Sequence, residues 1–255
     1  MNHPLMISSL LVLSISTNAN AIVNMDSLHL KNIKKGISGT IKVNSNGSYG
    51  NSERFVIQSS AEVLAKKERA LNYFSINYSY GESFSREDQH KSYTHIRHVN
   101  DVEKSSTWEL YTQAEENKFA RLKFRGLVGA GFRWRFLIDS EKSSSILGAG
   151  AYYSRIELTD SDAIEVKHQN VHRANIYWVY KTSIFDNMTL FNTTYYQPEI
   201  QTPEDFRILE IAGFKITLTK TLSFSVYGEG TFDSKPPEGV KKGDLSYKTG
   251  LEYKF

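Results

Sequence analysis

Leu245-Ser246-Tyr247-Lys248-Thr249-Gly250-Leu251-Glu252-Tyr253-Lys254-Phe255 alternates with a period of two. Odd positions are apolar or aromatic apart from Thr249, and even positions are polar, charged or glycine. That period describes a strand with one greasy face and one wet face. Nothing after Phe255 can cover such a strand, so it is expected to pair with the first strand and close a barrel.

The sharpest alternation lies further back. Phe124, Gly126, Val128, Ala130, Phe132, Trp134 and Phe136 share one parity; Lys123, Arg125, Leu127, Gly129, Gly131, Arg133 and Arg135 share the other. A soluble sandwich would have to bury either the cations or the aromatics, and a buried row of charge is costly. In a membrane barrel the aromatics meet lipid and the cations meet a polar lumen.

The same pattern recurs along the chain. Earlier strands are expected around Ile37–Val43, Phe55–Val63, Phe74–Tyr80, Lys91–Asn100 and Trp108–Ala114. Later ones are expected around Ile146–Tyr153, Ala174–Lys181, Met188–Tyr196, Phe206–Leu218 and Leu222–Asp233. The fourth has ambiguous faces because Tyr93 and Ile96 differ in parity. The expectation is an all-β fold, a single antiparallel up-and-down transmembrane β-barrel of about twelve strands over residues 36–255.

Long outer connections are expected at Asn44–Glu53, Gly81–His90, Thr159–Asn170, Gln197–Glu204 and Ser234–Asp244, with Glu115–Lys118 short for its slot. Pro198, Pro203, Pro236 and Pro237 fall in these loops, where a missing N–H breaks no ladder. Glycines sit inside strands instead, where they permit curvature or make room for a ring. Glu210 is a misfit: its parity matches Phe206 and Phe214 and aims a carboxylate at lipid, unless a bulge shifts the register or the residue lies at the membrane edge.

Composition agrees with this reading. The chain has 255 residues, 31 Lys+Arg against 28 Asp+Glu, 15 Tyr and 14 Phe. The charge is too balanced for a nucleic-acid surface. The absence of cysteine excludes disulfides, thiolate metal sites, a Cys nucleophile and a lipobox anchor. Met1–Ala21 reads as a secretory leader, with a short apolar run at Leu5–Ile15 and Ala19-Asn20-Ala21 as the cleavage pattern. Residues 22–35 read as a periplasmic lead-in.

Several segments carry a resemblance. Asn77-Tyr78-Ser79-Tyr80-Gly81-Glu82-Ser83, His95-Ile96-Arg97-His98-Val99, Trp108-Glu109, Gln113-Ala114-Glu115 and Phe119-Ala120-Arg121-Leu122 belong to it. So do Thr193-Thr194-Tyr195-Tyr196-Gln197-Pro198 and Pro236-Pro237-Glu238-Gly239-Val240-Lys241-Lys242. Together they resemble the salt-induced outer-membrane protein family (YdiY-like), a Gram-negative family of unknown function. The resemblance implies an outer-membrane barrel and brings no catalytic residues.

Candidate sites are few. His95 and His98 are three apart, hence on opposite faces of a strand. His168 and His172 share a parity near an outer loop, where a metal or lipopolysaccharide phosphate could be met. A barrel lipase needs a serine and a base within reach on one strand face. At His95 the serine is missing, since Arg97 stands two residues later. No catalytic residue, cofactor or metal is therefore expected. The remaining candidates are lumenal charges: Glu109, Glu115, Lys123, Arg125, Arg133, Arg135 and Glu229. They would form either a selectivity ring or, as the many inward Tyr, Arg and Lys favour, a salt-bridged network filling a narrow lumen. Leu251, Tyr253 and Phe255 resemble the C-terminal signal read by the barrel assembly machinery. The expected partners are that machinery, outer-membrane lipid and lipopolysaccharide. The expected role is a structural barrel or narrow passive channel in the bacterial outer membrane, linked to osmotic or envelope stress. A lipid-modifying barrel enzyme and a surface adhesin or receptor are the alternatives.

Overall fold

The computed structural model describes residues 35–51, 53–136, 142–159 and 166–255. The expected leader and all of the lead-in before Lys35 lie outside the described residues. The described residues form twelve strands: β1 (Gly36–Ser48), β2 (Arg54–Lys67), β3 (Ala70–Ser83), β4 (Arg86–Val99), β5 (Ser106–Asn117) and β6 (Leu122–Arg135). They continue as β7 (Ser143–Thr159), β8 (Val166–Phe185), β9 (Met188–Pro198), β10 (Phe206–Thr217), β11 (Leu222–Asp233) and β12 (Gly243–Lys254). Each pairs antiparallel with its sequence neighbour, and β12 returns to β1, closing the barrel.

Alternation decides which way each side chain faces. Along β5, Thr107, Glu109, Tyr111, Gln113, Glu115 and Asn117 are buried, whereas the intervening residues are exposed. The exterior carries Phe74, Ile76, Trp108, Leu110, Val128, Phe132, Trp134, Ile176, Trp178, Phe214 and Val226, all exposed. An apolar exterior around a charged interior inverts a soluble protein and matches a bilayer-spanning barrel. The ambiguous β4 resolves cleanly: His95, Arg97 and Val99 point in, Ile96 points out, and His98 faces out against Trp108 at 5.4 Å.

Three expectations change. Gly81–His90 is not a loop. β3 and β4 run on as a hairpin and turn at Phe84 and Ser85, with φ of 48° and 59°. Its residues are polar because the hairpin stands clear of lipid, so hydropathy concealed the strands. β8 likewise begins at Val166, inside the stretch expected to be loop, and β1 runs on to Ser48 through its pairing with β2. Lys123 is the third change. A register shift between Leu122 and Phe124 leaves Lys123 exposed and puts Leu122 in the interior in its place.

Two strand glycines make room for rings. Gly129 faces Tyr111 and Gly148 faces Tyr177 across their ladders. A Cβ at Gly129 would lie 2.5 Å from the Tyr111 ring, and one at Gly148 would overlap the Tyr177 ring. Both tyrosines therefore lie down along the neighbouring strand.

The closing seam is short. β1 pairs with β2 over its whole length, Gly36–Ser48. It pairs with β12 only through Thr40–Val43 against Leu251–Lys254, plus two 3.1 Å bonds between Gly39 and Phe255. The Phe255 ring occupies the space that a side chain at position 39 would need. Continuing the register would pair Asn44 with Gly250, Ser45 with Thr249, Asn46 with Lys248 and Gly47 with Tyr247, and the ladder includes none of these pairs. If β1 starts on the periplasmic side, this unpaired half lies toward the cell exterior.

Candidate functional site: the charged lumen

The interior is organised around one ion pair. Arg97 Nη1 donates to both carboxylate oxygens of Glu109, at 3.1 and 3.0 Å, and Tyr177 OH donates to Glu109 Oε1 at 2.8 Å. Arg133 approaches the same carboxylate at 3.7 Å. The Arg97 guanidinium lies 5.0 Å from the Tyr111 ring centre and 5.8 Å from that of Tyr177, and its Nε donates to His95 Nε2 at 3.3 Å. Arg97 and Glu109 have 0% and 1% side-chain exposure, so no water-filled bore touches them.

Beside this pair the lumen is filled by apolar and aromatic side chains. Leu71 and Tyr73 of β3 join one buried cluster with Val99, Val102, Ile146, Tyr177, Val179, Phe191, Tyr195, Leu209 and Ile211. In a ring of twelve strands β3 and β9 stand opposite, so this cluster crosses the barrel from wall to wall. Tyr177 and Tyr195 pack at 5.3 Å within it.

A second polar layer lies toward the β9–β10 loop. Arg125 pairs with Glu115, whose Oε2 accepts from Gln113 Nε2 at 2.7 Å. Tyr152 OH donates to Gln197 Oε1 at 3.0 Å, and Gln197 Nε2 donates to Asn175 Oδ1 at 2.7 Å. Arg173 binds Asp205 at 2.5 Å and its backbone carbonyl at 3.0 Å, fastening the loop to β8. Arg207 binds Asp233 at 2.9 Å.

The wall around the seam is different. Lys42 pairs with Glu62 at 3.2 Å, with side-chain exposures of 21% and 12%. Lys248 pairs with Glu229 at 2.8 Å, both 16% exposed, and Lys215 pairs with Glu252. These pairs touch solvent where the Arg97 pair does not.

Of the seven expected network residues, Glu109, Glu115, Arg125 and Arg133 are buried and joined as described. Arg135 reaches inward to bind the Val102 carbonyl at 2.6 Å. Glu229 belongs to the seam-side pair, and Lys123 lies outside the network. The sequence reading missed Arg97, because the parity of β4 was open, and it missed Tyr177 as the hydroxyl donor. The signal was present: Tyr93, His95, Arg97 and Val99 share the parity opposite Ile96.

Glu210 keeps its outward parity, since β10 has no register shift on either side. Asn192 and Thr194 on β9 donate to its carboxylate, which satisfies it on the outer wall. Leu251, Tyr253 and Phe255 point outward and are exposed. Among the described residues no three His, Asp or Glu side chains converge as a metal site. His168 lies 3.6 Å from Glu157, while His172 packs on Tyr153 at 5.2 Å.

Solved structures share this architecture. A NanC porin aligns with a TM-score of 0.54 and 11% identity, covering 86% of this chain and all of that one. The translocator domain of the autotransporter NalP from Neisseria meningitidis aligns at 0.49 and 11% identity, over 89% of this chain and 91% of its own. A KdgM porin in complex with disordered oligogalacturonate aligns at 0.45 and 10%, over 86% and 99%. At such identities the likeness concerns the fold, that of an outer-membrane β-barrel. No curated protein matches the chain. The model of the family described as protein of unknown function, DUF481, matches residues 44–255, and the chain, as its YdiY-like segments imply, belongs to that family.

Proposed function

We propose that this protein is an outer-membrane barrel held shut along its axis by its own side chains, a structural or gated element and not an enzyme. The observation that carries this is the dry Arg97–Glu109–Tyr177 crossing with the apolar cluster beside it. A selectivity ring must stay wet to pass ions. These charges are desolvated and committed to each other, and their cohesion ties β4, β5 and β8 together. Lipid and lipopolysaccharide are the proposed surroundings, and outward Leu251, Tyr253 and Phe255 are the proposed signal to the assembly machinery. The link to salt stress rests on the family resemblance.

Planar-bilayer recording tests the reading. The wild-type protein is expected to show no steady conductance. The double variant Arg97→Ala/Glu109→Ala, still heat-modifiable on gels, is expected to show discrete conductance steps. Steady porin-like current through the wild type would overturn the proposal.

A further inference from the structure

A route between the interior and its surroundings other than the axis would have to pass through the wall. In the outer half of the β1–β12 seam both strands run on, yet the ladder between them stops at Val43 and Leu251. Along Ser45–Ser48 and Ser246–Thr249 the backbone groups that β2 and β11 do not take up have no ladder across the seam. In hydrocarbon an unsatisfied backbone group is strongly disfavoured. These groups need a polar occupant.

The flanking strands place this gap within the lipid belt. Ser45 and Gly47 pair with Ile57 and Phe55 of β2, and Phe55 is exposed on the exterior. Tyr247 on the other margin is 81% exposed. The gap is thus a polar break in an apolar wall. Behind it stand the solvent-touched pairs Lys42–Glu62 and Lys248–Glu229, two cations and two carboxylates at the inner margin of the gap. At the fork where the ladder stops, the Asn44 side chain occupies the space a side chain at Gly250 would need, so this residue pair sets where the strands part.

We propose that the unpaired half of the seam is a lateral portal for an amphiphile with a zwitterionic head. The head meets the Lys42–Glu62 and Lys248–Glu229 groups and the free strand edges, while its alkyl chain stays in the outer leaflet. A phosphoethanolamine head carries both signs and donates and accepts hydrogen bonds, matching that lining. The proposal goes beyond axial closure and survives if the axis proves conductive.

The test uses the full-length mature protein in nanodiscs and lysophosphatidylethanolamine bearing a diazirine in its acyl chain, with cross-links mapped by mass spectrometry. Cross-links are expected to concentrate on Ser45–Ser48 and Tyr247–Thr249, at least five-fold above the Val128–Phe132 surface. The variant Ser45→Cys/Thr249→Cys, which spares the four charged groups, is closed by oxidation or, if the gap is too wide for a disulfide, by a bis-maleimide. Closure should abolish the enrichment, and reduction of the disulfide should restore it. The unlinked variant serves as its own folding control through heat modifiability. Uniform labelling around the belt, or enrichment unchanged by closure, overturns the portal. A dimer cross-linked through these edges, with the enrichment lost, overturns the amphiphile in favour of a second copy adding its strand.

Discussion

The two halves of the barrel wall solve the same charge problem differently. On the β4–β9 side, Arg97, Glu109, Arg125 and Glu115 are withdrawn from solvent and locked by rings and hydroxyls. On the β11–β2 side, Lys42, Glu62, Glu229 and Lys248 form pairs that still touch solvent, beside a seam that is only half zipped. The first half is a core in all but polarity. The second behaves like a surface folded inward. Attraction between opposite charges is present in both; what differs is how much hydration each ion has surrendered, and hence what the loss of a partner costs.

Removing one carboxylate from each side gives the widest separation. Glu109→Ala leaves the Arg97 guanidinium buried without its counter-ion and is expected to cost about 3–5 kcal/mol. Glu62→Ala leaves Lys42 able to turn to water and is expected to cost about 1 kcal/mol or less. Urea titration of the folded gel band in detergent measures both. Equal losses would erase the distinction between the halves.

Glycine substitutions sharpen it by a smaller amount. Gly148→Val drives a branched side chain into the Tyr177 ring and is expected to cost about 1–3 kcal/mol. A Cβ at Gly228 meets no atom nearer than the Ser246 carbonyl at 4.0 Å, and Gly228→Ala should stay within about 0.5 kcal/mol of wild type by the same assay.

The smallest effect is expected outside the lipid zone. Glu87, on the β3–β4 hairpin, binds Lys118 and also His90 at 2.6 Å. The hydrogen bond from Lys118 first, and then that from His90, hold its carboxyl below the ordinary carboxylate pKa. A depressed folded pKa stabilises the hairpin above the ordinary value, and the contribution is lost as pH falls through the lowered one. Hydrogen exchange at Ser83–Arg86 should therefore quicken slightly as pH drops below about 4, beyond the intrinsic pH dependence, and in Glu87→Gln that extra change should vanish.

Sequence patterning revealed the fold because a barrel wall is one residue thick. Every strand position faces either lipid or lumen, and side-chain polarity reports which, as at Lys123–Phe136 and along β5. Polarity stops informing where both faces are wet, which is why the hairpin through Phe84–Ser85 read as loop. It is equally silent at bulges, so Lys123 was placed inside on parity alone. The candidate site was half legible. Ladder neighbours such as Glu115 and Arg125 follow from adjacent strands, but the meeting of Leu71 with residues of β9 and β10 depends on barrel diameter and stagger. The short seam left no mark either, because Asn44–Ser48 keeps its strand conformation by pairing with β2.

Because Tyr111 and Tyr177 lie flat over Gly129 and Gly148, their rings stand beside the Arg97 head group rather than in its place. An axial gate built this way would need no swinging loop or sliding helix. Rotation of the Arg97 side chain about its own bonds would be the first move, a step that in isolation takes nanoseconds, whereas lids and domains require microseconds to milliseconds.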